Sequence, residues 1–138
     1  MPKSQCLFIL LSIIYGSCSF QVKAKSDEEL GAHLITLHAW VQVSLECITK
    51  APVALQQDWT FMSALFFFET VAWENKYKSE ARFFEEYMKA GKELSQEEYS
   101  DVRCDESDKN YLVKKMVSDP MYEIAKEALL AAKEAGAY

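Results

Sequence analysis

The chain has 138 residues, 50% hydrophobic and 26% charged, with a formal net charge of −6. That length builds one helical core and is too short for two. The acid excess repels nucleic acid and anionic lipid, which sets both aside as ligands and leaves a solvated surface or a basic protein partner.

Met1 to Gln5 carry one cation, Lys3, and no acid, and the apolar run CLFILLSIIY follows from Cys6 to Tyr15. Small and polar residues come next. This order predicts a secretory signal peptide over residues 1–24, cut after Val22-Lys23-Ala24, with Ser17-Cys18-Ser19 as the second choice. A lipid anchor on Cys18 is the alternative form of export, although Tyr15 stands where such signals carry Leu. An uncleaved anchor or a buried N-terminal helix is the structural alternative. The run falls short of the about 20 apolar residues that a spanning helix needs, so no stable membrane span is expected after cleavage. Loss of Lys3 and Lys23 takes the net charge of residues 25–138 from −6 to −8.

The domain over residues 25–138 opens with Ser26-Asp27-Glu28-Glu29, a capping box whose acids suit the positive end of a helix dipole. Leu30, Leu34, Leu37, Val41, Leu45 and Ile48 then recur in steps of three and four, one face of a helix that Pro52 ends or redirects. A second helix is predicted over Pro52 to Glu74, with Pro52 able to stand in its first turn. Its centre, WTFMSALFFFETVAW from Trp59 to Trp73, is apolar on every side and bracketed by Asp58, Glu69 and Glu74, which marks the central helix of the core.

NKYKS, residues 75–79, is a polar break. A third helix is expected from Glu80 to Ala90, burying Phe83, Phe84, Tyr87 and Met88 and stopped by Gly91. Ser95-Gln96-Glu97-Glu98 reads as a second capping box opening a short helix to Val102. Cys104 to Lys109, CDESDK, is a loop by composition. A fifth helix over Lys109 to Val117 exposes Lys114 and Lys115 and buries Leu112, Val113 and Met116. Asp119-Pro120 restarts the chain as cap and first-turn proline. The last helix, Met121 to Ala135, places Ile124, Ala128, Leu129 and Ala132 on one face. No alternating run supports a strand, so the fold expected is all-α: a small single-domain bundle of about five to six helices with one disulfide.

The four cysteines divide by position. Cys6 and Cys18 fall in the predicted signal, leaving Cys47 and Cys104 as an even pair in an exported domain, which predicts a structural disulfide. It closes a loop of 57 residues, a constraint of roughly 4 kcal/mol. No CxxC motif exists, and neither cysteine has a histidine at metal-ligand spacing.

Chemistry is sparse. His33 and His38, the two histidines, stand five apart, about 140° from one another on a helix, and cannot form paired i, i+4 zinc ligands. Glu29 and His33 have the spacing of an ordinary surface pair. There is no nucleophile elbow, phosphate loop or dinucleotide fingerprint. DESDKN, residues 105–110, lacks the glycine and final acid of a calcium loop; Met116 stands at the twelfth position. No catalytic residue, metal ligand or cofactor is assigned.

Two of the acids Glu69, Glu74, Glu80, Glu85 and Glu86 would make a carboxylate hydrolase only by converging in a cleft. The expected function is therefore an exported, non-catalytic protein-interaction domain: an inhibitor or immunity-type protein that binds a toxin or enzyme, in the periplasm first and outside the cell second. The alternative is a carrier of an apolar ligand or lipid in a cavity lined by the aromatics of Trp59 to Trp73.

Overall fold

A computed structural model describes residues 27–78 and 81–137. The signal segment 1–24 with Cys6 and Cys18, the Ser26 cap and Glu80 lie outside the described residues. Within them the protein is all-helical.

α1 (Asp27–Lys50) starts with three acids in its first turn and ends on Lys50, charges that complement the helix dipole. Pro52 has an extended backbone and caps α2 (Val53–Lys76) from just outside its first turn. A 3-10 turn (Ala81–Phe83) leads into α3 (Phe84–Glu98), followed by α4 (Glu106–Ser118) and α5 (Tyr122–Glu134). α1 lies between α2 and α3, while α2 packs on α1 and α5 and more lightly on α4. No described helix is long and apolar enough to cross a membrane.

The core is aromatic. Trp59, Phe66 and Trp73 on α2 are completely enclosed with Leu65, meeting Leu30, Leu34 and Leu37 of α1 and Leu129 of α5. Each tryptophan turns its indole N–H to a distant segment. Trp40 donates to Tyr99 Oη at 3.1 Å, Trp59 to the carbonyl of Cys104 at 3.2 Å, and Trp73 to Asp119 Oδ1 at 2.9 Å. Large apolar bodies thus fill the seams while their one polar atom ties a neighbour in place. Cys47 and Cys104 are bonded, with Cα atoms 5.3 Å apart. Cys104 holds φ at 60°, a left-handed conformation costing an ordinary residue about 1–2 kcal/mol, and the disulfide and the Trp59 indole fix it there.

Several expectations need correction. Gly91 does not stop a helix: α3 runs through it to Glu98. A Cβ at Gly91 would lie 2.5 Å from His38 Cβ and 2.9 Å from the backbone at Ile35 and Ala39, so glycine is there to let α3 approach α1. Ser95 lies inside the same helix and donates to the Lys92 carbonyl rather than capping a new one. There is therefore no separate helix from Ser95 to Val102. α4 begins three residues earlier than Lys109, because Asp105 caps it by accepting from the Asp108 amide at 2.9 Å. Of the four residues assigned to the third helix, Phe83, Phe84 and Tyr87 are half-buried and Met88 is exposed. On α5 the inward face is Ala125 and Leu129 below Met121, and Ile124 is 57% exposed. Leu45 on α1 also faces outward, because α1 is covered by α2 and α3 on flanks that a single stripe does not reveal.

Candidate functional site

α2 and α4 part at the surface to leave a groove of about 570 Å3. Its floor is Met62 and Met116, both buried. Phe61 on α2 and Val117 on α4 flank it, 37% and 50% exposed, and Tyr122 lies at the α5 end. The rim is charged: Lys109 Nζ sits 3.3 Å from Asp58 and 2.8 Å from Glu106. Hydrogen bonding to Glu106 heads the causes that raise the Lys109 pKa. A second groove adjoins across Asn110, with Tyr111 53% exposed and the Lys115 ammonium 5.4 Å from that ring. The result is a strip with an apolar floor, aromatic edges and a polar border, the composition of an interaction surface.

Two further grooves border α2. One, about 360 Å3, is lined by Val41, Leu45, Phe67, Phe68 and Ala132, almost wholly apolar. The other lies beside Trp73 and Tyr77 against Pro120, Met121 and Ile124. All four are open surface depressions.

The interior holds the molecule's most unusual chemistry. Asp119, at the corner between α4 and α5, is buried. Its Oδ1 accepts from the Trp73 indole and from the Met121 amide at 2.7 Å, and its Oδ2 lies 2.7 Å from His33 Nε2. Asp119 and Pro120 thus form the corner itself and not the expected cap and first turn, since α5 starts at Tyr122 with Met121 at its cap, and the Asp119 carboxylate ties that corner to α1 and α2. Glu69 is 0% exposed, and neither of its oxygens has a hydrogen-bond partner. Burial, reinforced by the charge of Asp119, pushes its pKa up to about 9. His38 and Glu74 meet across α1 and α2, Nε2 to Oε1 3.6 Å, too far for a hydrogen bond. Burial lowers His38 to about 4 and raises Glu74 to about 7.

The four candidate acids among the described residues do not face one another across a cleft, and Glu80 lies outside those residues. Glu69 and Glu74 lie inside, five residues apart and so about 140° apart on α2, while Glu85 and Glu86 are exposed on α3. No cluster of three His, Cys, Asp or Glu among the described residues is placed to hold a metal ion. The buried roles of Glu69, Glu74, His38 and Asp119 escaped the sequence reading. The available signal was an acid inside an otherwise apolar helix. No protein-family model, characterised protein or solved structure matches the chain.

Proposed function

We propose that this chain is an exported, non-catalytic protein-interaction domain of the inhibitor or immunity type, and that the α2–α4 strip is its docking face. One observation carries this reading: Phe61, Tyr111 and Val117 stand exposed together along one strip with an apolar floor and a charged rim. Exposed aromatics grouped beside a charged rim are the usual anchors of a protein interface. The buried disulfide suits an oxidising compartment, the periplasm first. Exposed acids at and just beyond the end of α3, Glu93, Glu97, Glu98 and Asp101, add to the negative net charge and favour a basic partner.

The test is affinity capture from the envelope of the producing cell, using the native domain beside Phe61→Asp and Val117→Asp. A specific protein held by the native domain and lost by both variants, at unchanged thermal stability, supports the reading. Equal capture by all three removes the α2–α4 face, and capture of nothing specific removes the partner. A carrier role is the second reading, favoured by the apolar groove at Leu45 and Phe67. Native mass spectrometry showing a co-purifying lipid that Phe67→Asp abolishes would support it, and mass of the bare chain alone would oppose it.

A further inference from the structure

We infer that the exposed stripe of α4 pairs with the same stripe of a second copy of this chain, the two helices antiparallel about a two-fold axis at Asn110. The inference rests on the reading of the α2–α4 strip as an interaction surface, and it names an occupant for the α4 half of that strip.

The stripe follows from the spacing of α4. Glu106, Asn110 and Lys114 stand four residues apart, so they form one ridge along the helix, about 12 Å from end to end. All three are exposed and, with Ser107 and Tyr111, line a single groove. Opposite charges thus lie at equal distances on either side of a neutral centre. Turned end for end about Asn110, a second ridge presents its Lys114 to Glu106 and its Glu106 to Lys114. A two-fold contact demands a patch of this kind, one complementary to itself. Ridges with four-residue spacing are also those that interdigitate in the commonest packing of two helices.

The apolar part of the contact lies near the axis. Tyr111, next to Asn110, is 53% exposed. Asn110 also lines the groove that Met62 and Met116 floor and Val117 flanks, so the rotation sets Tyr111 of each copy toward that groove on the other. An exposed aromatic ring entering an apolar groove is where binding free energy concentrates.

Charge selects the partner. The chain as a whole carries −6, which opposes self-association. α4 is the exception, with Glu106 and Asp108 set against Lys109, Lys114 and Lys115. Lys109 is recessed between Asp58 and Glu106, Lys115 lies over the Tyr111 ring of its own helix, and Asp108 accepts from the Arg103 amide. Glu106, its side chain 61% exposed, and Lys114 remain as the outward charges. α3, by contrast, exposes Glu85, Glu86, Glu93, Glu97 and Glu98 and would meet its own copy with like charges. A foreign partner has to match the order of charges on α4, whereas a second copy matches it by symmetry. Two helices of 13 residues, each about 20 Å long, make a small interface, so the dimer depends on concentration.

Sedimentation equilibrium of the purified, disulfide-closed protein between about 5 and 500 µM tests this. The expected result is a monomer–dimer equilibrium that Glu106→Lys and Lys114→Glu each weaken about 10-fold or more, at unchanged thermal stability. Each variant places like charges at both symmetric contacts. Mixed in equal amounts, the two variants restore opposite charges at both and form a heterodimer as tight as the native dimer. Both variants remain net negative, so general attraction does not account for that gain. Asn110→Cys gives a covalent dimer on mild oxidation, and Glu93→Cys on α3 does not. A monomer at every concentration, a dimer indifferent to both charge changes, or no gain on mixing overturns the inference. Should Glu106→Lys fail to fold, Lys114→Glu and Asn110→Cys carry the test. A strictly monomeric protein that still captures a foreign partner through Phe61 and Val117 overturns the self-pairing alone and leaves the docking face standing.

Discussion

Replacing Glu69 by Gln makes the bundle more stable at neutral pH than at acid pH, relative to the unsubstituted protein. Glu69 is wholly enclosed without a partner and keeps its proton in the folded state up to about pH 9. In the unfolded chain the same carboxyl ionises at its ordinary value of 4.5. A raised folded-state pKa gives stability that is complete below 4.5 and declines as pH rises toward 9. From pH 4.5 to 7 is 2.5 units, and each is worth about 1.4 kcal/mol, so roughly 3 kcal/mol is forgone at neutrality. Gln has nearly the same volume and cannot ionise. Any penalty from its own unpartnered amide is the same at every pH, so the difference between variant and native protein isolates the ionisation. Urea unfolding at pH 4.5, 5.5 and 7 with the disulfide closed measures it. The expected result is a difference that grows by about 3 kcal/mol in favour of Gln across that range. A difference independent of pH refutes the argument, because Glu69 would then be ionised in the fold or solvated.

Gly91→Ala is expected to destabilise by about 1–3 kcal/mol in urea unfolding, since the new methyl meets His38 Cβ and two backbone atoms of α1; stabilisation, as helix propensity alone predicts, would show that α3 does not pack there. Asp119→Ala leaves the Trp73 indole and the Met121 amide without their acceptor and is expected to lose about 3 kcal/mol or more. A loss below about 1 kcal/mol would contradict the Asp119 network. Reducing Cys47–Cys104, which spans 57 residues, lowers stability by roughly 4 kcal/mol in denaturant titrations with and without reductant; an unchanged midpoint would show that the bridge does not constrain the unfolded chain.

The long elements were readable because their signals are local or arithmetical. The three-and-four spacing from Leu30, the break at Pro52 and the parity of Cys47 and Cys104 need no knowledge of neighbours. The errors share one cause, that a tertiary contact gave a residue a second meaning. Gly91 has the composition of a helix stop and is a crossing point. Asp119 has the composition of a helix cap, yet it sits in the corner before α5 and its carboxylate meets His33 and Trp73, far away in the chain. Glu69 has the look of a bracket to the apolar run, because an acid is ordinarily solvated and its spacing does not say that the fold encloses it. Ile124 and Leu45 are bulky enough to promise burial, and only the angle at which helices cross decides that Ala125 goes inside and they do not.

The Cys47–Cys104 link also turns the stretch that holds α2 and α3 into a covalent ring. Pulled from its two ends, an oxidised molecule lengthens only outside the ring, shortening its full extension by roughly 200 Å for 57 residues. A load reaching the ends passes through two sulfur atoms and leaves the tryptophan-rich middle slack. For the same reason the closed ring presents doubled chain to any pore wide enough for only one strand, so threading through such a pore has to come before the sulfurs join.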